Sequence, residues 1–286
     1  NSVSTLLLLS TISHYITAIN IRIPPPAPCY TLPFYGLYLD DASHCIPVCC
    51  GTGIVYRLFQ PFPPLLLIHG APGAWYGSRN FLEDSLLQQH YHIIAVDRPG
   101  YNKSHFRRKR KAVTSITLQA VGIREALRLN RSHKTGVVVG SSYGAPIAAK
   151  LAMLYPQHFH HLVMLAPAID PDKEKFWWFH PYVRRGPVRW LLPRFINNAT
   201  DEKFAHVKEL RQLLPGWEKI AIPVTVVQGG ADNIVDPANL DFARSQLAGK
   251  QASFIFLPDA GHLIRWQNAD VVRAILLNGH EFTNSH

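Results

Sequence analysis

The chain has 286 residues, of which 47% are hydrophobic and 17% charged, and its formal net charge is +10. A chain of this length can bury a core by itself, which excludes a small scaffold held together by disulfides or metals. The positive charge would allow weak attraction to anionic lipid or other polyanions at low salt.

Residues 1–53 differ from the rest and form an atypical N-terminal segment that is a candidate for poor order. Residues 1–21 contain no Asp, Glu, Lys or Arg and could be the remnant of an exported leader or a membrane-proximal stretch. They have no initiating methionine and no basic start, and polar residues interrupt the apolar run, so neither a signal peptide nor a spanning helix is well supported.

All four cysteines lie within residues 1–53: Cys29, Cys45, Cys49 and Cys50. Their spacing is not a zinc pattern and defines no disulfide connectivity.

Two apolar runs after the strand-like residues 54–59 each end in a short loop. Residues 65–68 precede His69-Gly70-Ala71-Pro72-Gly73, and residues 93–96 precede Asp97-Arg98-Pro99-Gly100-Tyr101. We expect His69 and Asp97 to tie these loops to backbone groups rather than to take part in chemistry. The basic run 107–111 follows the second loop. It lacks interleaved aromatic residues, so we interpret it as a solvated loop and predict no nucleic-acid partner.

A helix and a strand-turn-helix pattern follow. Ile116, Ala120, Ile123 and Leu127 fall at helical spacing between two strand-like runs, which indicates β-α-β units and a mostly parallel sheet. The strand-like residues 137–139 then lead into Gly140-Ser141-Ser142-Tyr143-Gly144 and a helix-compatible stretch, 145–154. This G-x-S-x-G context predicts that Ser142 is a nucleophile on a sharp turn, where only small residues fit two positions to either side.

Aromatic, basic and proline residues dominate the stretch from about residue 170 to 220, where the pattern of the domain 54–286 changes, so we predict an insertion there. Four of the six tryptophans lie there. Aromatic side chains are common walls of small-molecule pockets, so Trp177 and Trp178, with Trp75 from the first loop, are candidate substrate-binding residues of a mostly apolar pocket.

Two further loops supply partners for Ser142. Asp232 follows the strand-like residues 224–227, and His262 follows residues 254–257. A serine hydroxyl needs a histidine base and a carboxylate that orients it, and the chain order Ser142, Asp232, His262 provides both. Asp236 and Asp170 remain alternatives for the acid. The other histidines lack metal-ligand spacing, and we predict neither a metal nor another cofactor.

These motifs together resemble the α/β-hydrolase superfamily, from about residue 54 to the C-terminus. The resemblance implies a mostly parallel central sheet flanked by helices, and it implies that the insertion at about 170–220 is a helical cap over the active site. It also implies an oxyanion hole formed by the backbone N–H groups of Ala71 and Tyr143. The family normally begins with two or more antiparallel strands, whereas only residues 54–59 have that pattern here.

The expected function is hydrolysis of a carboxylic ester or related acyl substrate, small and apolar, through an acyl-enzyme at Ser142. A serine at this position argues against the dehalogenase and epoxide hydrolase branches, which would require a carboxylate nucleophile. Prolyl aminopeptidases, carbon–carbon bond hydrolases and perhydrolases share the first loop and remain alternatives. So does a catalytically silent homologue that binds a small molecule.

Overall fold

The structure is a computed structural model that describes residues 44–48, 52–56, 62–105, 112–130, 132–184 and 186–278. The predictions for residues 1–43, for the cysteines at 29, 49 and 50 and for the basic run 107–111 fall outside the described residues.

An eight-stranded sheet forms the centre of the molecule. Its strands are β1 (His44–Val48), β2 (Thr52–Tyr56), β3 (Pro64–Ile68), β4 (His92–Val96), β5 (Gly136–Ser141), β6 (Phe159–Leu165), β7 (Val224–Gly229) and β8 (Ala252–Leu257). The strand order is β1-β2-β4-β3-β5-β6-β7-β8, and the six strands from β4 to β8 in that order run parallel. The predicted fold class, a mostly parallel sheet of the α/β-hydrolase type, is confirmed.

The N-terminal edge of the sheet has one more strand than the sequence pattern indicates. β2 pairs antiparallel with β4, and β1 pairs antiparallel with β2. β1 has the sequence His-Cys-Ile-Pro-Val, which contains a proline and no polar-apolar alternation, so propensity gives little signal for it. The edge strand pair that the family resemblance implies is therefore present.

Helices cover both faces of the sheet. The α-helices of the described residues are α1 (Arg79–Leu82), α2 (Ser85–Gln88), α3 (Ile116–Arg124), α4 (Gly144–Leu154), α5 (His180–Arg184), α6 (Gly186–Leu191), α7 (Arg194–Leu213), α8 (Asn239–Gln246), α9 (Ile264–Gln267) and α10 (Ala269–Asn278). Short 3-10 helices lie at Trp75–Ser78, Glu125–Leu129, Pro156–His158 and Leu214–Lys219. Each of these helices in the described ranges is too short or too polar to cross a membrane.

Alternate residues of the central strands contribute to two separate cores. Leu66 and Ile68 of β3 pack in the cluster that contains α3 and α4, whereas Leu65 and Leu67 pack in the cluster that contains α10. All five residues of β3 are buried, as expected for a parallel strand covered on both faces. Burying each such leucine stabilises the fold by about 1.5–3 kcal/mol.

The carboxyl ends of the parallel strands meet at one edge of the sheet. Ile68 of β3 lies opposite Gly140 of β5, and Ser141 lies opposite Leu165 of β6. Ligands of open α/β sheets bind outside this edge. The segment between β6 and β7 contains α5, α6 and α7, where the cap was predicted, and its side chains help to enclose the space above the edge.

Candidate active site

Ser142 occupies a sharp turn between β5 and α4. Its φ angle is +53°, a left-handed conformation that costs a non-glycine residue on the order of 1–3 kcal/mol. Two hydrogen bonds hold the turn: the Ser142 amide donates to the Leu165 carbonyl over 2.9 Å, and the Ala145 amide donates to the Ser142 carbonyl over 3.0 Å. The surrounding sheet and helix therefore hold Ser142 in this strained conformation.

Glycines on either side make this turn sterically feasible. A Cβ atom on Gly140 would lie 2.4 Å from the Gly144 carbonyl oxygen, and one on Gly144 would lie 2.6 Å from the carbonyl oxygens of Ile68 and His69. Real Cβ atoms do not approach so closely. The two positions thus require glycine, as the G-x-S-x-G pattern predicts.

His262 and Asp232 meet beside this turn. The His262 Nδ1 atom lies 2.8 Å from Asp232 Oδ2, and the Asp232 side chain is fully buried. The amides of Ile234 and Val235 each donate to Asp232 Oδ1 over 2.9 Å, so the carboxylate is held in place from two sides. A carboxylate only accepts, so Nδ1 carries the hydrogen and Nε2 is the ring nitrogen left to act as a base.

The two other candidate acids lie elsewhere. Asp236 accepts a hydrogen bond from the Ala238 amide and lies 3.7 Å from the Lys175 ammonium nitrogen. Asp170 accepts from the Asp172 amide. Of the three carboxylates, the structure brings Asp232 to His262.

The loop after β3 lies against the turn of Ser142. A Cβ atom on Gly70 would be 3.1 Å from the Ser142 Cβ, so glycine allows the loop to approach the serine closely. Toward other described residues, the amides of Ala71 and Tyr143 donate no hydrogen bond. Both residues also line the same cavity as Ser142.

His69 and Asp97 fasten the two loops, as predicted. The Arg98 amide donates to His69 Nε2 over 3.0 Å and His69 Nδ1 donates to the Gly70 carbonyl over 2.7 Å. Burial, and secondarily the Arg98 charge, lowers the pKa of His69 well below its usual value, so the ring is neutral. Asp97 accepts from the Trp75 amide over 2.9 Å. Burial raises the pKa of Asp97 to about 7.

A buried ion pair, which the sequence analysis did not find, joins the cap to these loops. The two terminal guanidinium nitrogens of Arg98, Nη1 and Nη2, donate to the Glu202 carboxylate of α7 over 2.7 and 3.0 Å, and both side chains are fully buried. Arg98 also donates to the Gly70 carbonyl over 3.0 Å. Its guanidinium carbon lies 4.6 Å from the Tyr101 ring centre and 4.8 Å from that of Tyr143.

One sequence signal could have pointed to Glu202. The buried residues of α7 include Asn198, Glu202, His206 and Leu210, each four positions after the last. Polar residues that continue an apolar helical stripe indicate a face that is buried and hydrogen-bonded. The partner, Arg98, lies 104 residues away and could not be inferred from this pattern.

Two adjoining cavities open beside Ser142. One, with a volume of about 100 Å³, lies under the cap and is lined by Tyr143, Phe179, Val183, Leu192 and Ile196. The other, of about 210 Å³, contains His262 and is lined by the loop after β3 and by Leu263 and Trp266. Apolar side chains form most of both walls, which suits a small apolar ligand.

The three tryptophans predicted for the pocket occupy other places. Trp75 packs against the core cluster beneath β3 and β4, while its neighbour Tyr76 lines the larger cavity. Trp177 and Trp178 lie on the outer surface of the cap, while Phe179 and His180 line the smaller cavity. An aromatic run has no periodicity that assigns a face to each ring, so its sequence did not separate inner from outer residues.

Several charged groups at the cavity walls are paired or buried. Burial alone would raise the pKa of Glu174, but His206, 3.1 Å away, and Lys203 lower it to about 2. Burial lowers the pKa of His180 to about 4. Arg265, at the wall of the larger cavity, donates to Ser78 Oγ over 2.6 Å, and burial lowers its pKa to about 10. Across the described ranges, no three His, Cys, Asp or Glu side chains form a group that could hold a metal.

Known proteins with related sequences are enzymes of several kinds. Epoxide hydrolase B of Mycobacterium tuberculosis is 31% identical over 99 residues, which cover 34% of this chain and 26% of that protein, so the chain spans about a quarter of that relative. A monoacylglycerol lipase of Xenopus laevis is 23% identical over 248 residues, covering 71% of this chain and 70% of the lipase.

Solved structures and a family comparison agree on the fold. An esterase of Exiguobacterium antarcticum superposes with a TM-score of 0.61 at 18% identity, covering 84% of this chain and 100% of the esterase. A family model for the alpha/beta hydrolase fold matches residues 63–218. Because that match includes more than half of the residues, this chain belongs to the α/β-hydrolase family.

Proposed function

We propose that this protein is a serine hydrolase that cleaves a carboxylic ester or a related acyl compound through an acyl-enzyme intermediate. One observation carries the proposal: Ser142, on its strained turn, lines the same cavity as His262, whose Nδ1 is hydrogen-bonded to the buried Asp232. A nucleophile, a base and a group that orients the base form the arrangement required for acyl transfer.

In this mechanism the Ser142 hydroxyl attacks the carbonyl carbon while His262 Nε2 accepts its proton. Asp232 keeps the proton of Nδ1 in place and stabilises the imidazolium. The imidazolium then protonates the leaving group, and water repeats the sequence to release the acid. The hydroxyl nucleophile favours acyl chemistry over the reaction named for the epoxide hydrolase relative.

The amides of Ala71 and Tyr143 are the proposed oxyanion donors. Loss of such a donor typically raises the barrier by about 3–4 kcal/mol. Arg98 supports the first of them, because Gly70 C=O and Ala71 N–H belong to one peptide group and Arg98 donates to that carbonyl. A charged donor on the carbonyl polarises the peptide and fixes its orientation, so we assign Arg98 as a positioning residue.

The cavity walls support the choice of substrate class. Phe179, Val183, Leu192 and Ile196 under the cap, with Leu263 and Trp266 on the other side, offer an apolar surface for an acyl chain or an alcohol group. We propose a small apolar acyl ester as the substrate.

Labelling with a fluorophosphonate, which modifies only activated serines, tests the proposal. We expect one adduct, located by peptide mass at Ser142 and absent from Ser142→Ala. Ser245→Ala is the matched control, since Ser245 is exposed and donates to the Phe242 carbonyl. No adduct on folded protein, or an adduct on another serine, would contradict the assignment and favour a silent binding protein.

A further inference from the structure

The outer surface of the cap hairpin carries an unusual number of exposed apolar side chains. We use the term cap hairpin for residues 176–195, which include α5 and α6. Trp190 is 89% exposed and Leu191 79% exposed. Six large apolar residues of the outer surface are at least 41% exposed: Phe176, Trp177, Trp178, Tyr182, Trp190 and Leu191. Phe195 is also exposed, but it lines the cavity with His262. Soluble proteins rarely expose so many in one short segment unless the surface binds something.

These side chains are not an extension of the core, because the hairpin has a separate inner face. Phe179 and Val183 are buried there, with Val188 and Leu192 packed against them. Phe179, Val183 and Leu192 also line the cavity beside Ser142. The hairpin is thus apolar on both sides, and packing against the domain accounts for only one of them.

The chemistry of the outer face fits a lipid interface. Tryptophan and tyrosine combine an apolar ring with one polar atom and are enriched at the level of lipid headgroups. Trp178 and Tyr182 lie together, with ring centres 6.3 Å apart. Trp190 and Leu191 are adjacent on α6 and are the most exposed of the set.

The Asp, Glu, Lys and Arg side chains of the hairpin are all of one sign, positive. Its twenty residues include four arginines, at 184, 185, 189 and 194, and no aspartate or glutamate. Among the described residues, Arg184 and Arg194 have no carboxylate partner, while Arg189 binds Asp201 of α7. Arginines beside an apolar face are attracted to anionic lipid headgroups.

From these observations, we propose that the outer face of the cap hairpin docks on an anionic lipid surface, with Trp190 and Leu191 entering the headgroup region. A second copy of the chain fits less well, because a two-fold interface would bring the same arginines of both copies together.

Docking would place the cavity beside Ser142 near the membrane surface. The inner face of the hairpin lines the cavity with Ser142, so docking of its outer face would bring this cavity close to the membrane that holds acyl lipids. This consequence rests on the proposed hydrolase function, whereas lipid binding itself does not.

Flotation of the full chain with vesicles tests the docking surface. Vesicles of phosphatidylcholine alone are compared with vesicles that also contain phosphatidylserine. We expect binding to the second kind only, weakened by salt and equal in Ser142→Ala. The double variant Trp190→Ser/Leu191→Ser should reduce the bound fraction about tenfold or more, since it removes the most exposed apolar contacts. The matched control, Leu86→Ser/Leu118→Ser, changes exposed leucines outside the hairpin and should bind as the parent does.

Several results would overturn the proposal. These are binding to neither vesicle, equal binding to both, or unchanged binding of the Trp190→Ser/Leu191→Ser variant. The proposal would also be wrong if the parent protein bound no vesicles but formed a dimer that the Trp190→Ser/Leu191→Ser variant does not form. The outer face of the hairpin would then be an interface between two copies of the chain. Fluorophosphonate labelling of the same samples is independent of these results, so failure of docking can be told from failure of the hydrolase assignment.

Discussion

The two parts of the cap contact the rest of the molecule in opposite ways. α7 is bound to the domain by buried or partly buried polar groups: Glu202 to Arg98, Asn198 to the Gly100 carbonyl over 2.6 Å, and Glu209 to the Ile116 amide over 2.9 Å. The cap hairpin instead packs through a few apolar residues and exposes six others on its outer surface. The difference indicates that α7 positions the site, while the hairpin covers it and presents a surface to the outside.

The largest effect on stability is expected from Glu202→Ala. This change leaves the Arg98 cation buried without its partner and should lower the free energy of unfolding by about 3–5 kcal/mol. The matched control is the preceding residue, because Asp201 pairs with Arg189 at the surface. Asp201→Ala should cost about 1 kcal/mol or less. Urea denaturation measures both, and equal losses would contradict the distinction between the two parts of the cap.

Glu174 allows a pH test of the contacts inside the cap. Its pKa in the folded state, about 2, is lower than the 4.5 of an unperturbed glutamate, so its contribution to stability is present above pH 4.5 and disappears as the pH falls toward 2. Glu174→Gln should therefore lower the free energy of unfolding by about 3 kcal/mol near pH 6 and by little near pH 2. Denaturation of the parent and of Glu174→Gln from pH 6 to pH 2 provides the measurement. A difference in the free energy of unfolding that does not vary with pH would show that the Glu174 contacts do not stabilise the cap through their charge.

The positioning role of Arg98 can be separated from its effect on stability. In Arg98→Met/Glu202→Leu, apolar side chains replace the whole pair, which often leaves stability unchanged. The Gly70 carbonyl still loses its charged donor, so we expect kcat on an activated aryl ester to fall about tenfold, or about 1.4 kcal/mol, with little change in KM. A folded double variant with the parent's kcat would show that Arg98 has only a structural role.

The smallest effect is expected on the outer face of the hairpin. Without lipid, Trp190→Ser should change the free energy of unfolding by no more than about 0.5 kcal/mol, since the side chain is almost fully exposed. Trp217 lies in the same cap segment but is buried, and Trp217→Ala should cost about 3–5 kcal/mol. Thermal unfolding of the two variants compares them directly, and a large loss in Trp190→Ser would mean that this ring packs against the protein.

The sequence predicted those features that depend on neighbouring residues. The turn of Ser142 requires glycines two positions away, and the loops of Asp232 and His262 follow apolar strands, so each left a local pattern. These patterns predicted the class of fold and the residues that the structure brings together around Ser142.

Features that depend on distant residues could not be predicted in this way. The Arg98–Glu202 pair forms only when α7 packs on the loop after β4, and no local rule links the two positions. The exposed and buried faces of the aromatic run, Trp177 and Trp178 outside and Phe179 inside, depend on how the hairpin lies over the cavity. The proline in β1 concealed an edge strand that pairing with β2 stabilises.

The distance between Arg98 and Glu202 along the chain also has a consequence during synthesis. The ribosome produces the loop with Arg98, the glycine loop before it and the turn of Ser142 well before α7, because Glu202 follows Arg98 by 104 residues. Until then, the guanidinium that holds the Gly70 peptide lacks its neutralising partner and stays in water. The nascent chain can thus contain Ser142 and still lack a fixed oxyanion loop. Because Glu202 precedes Asp232 and His262 in the chain, the support of the oxyanion loop is synthesised before the proposed triad is complete.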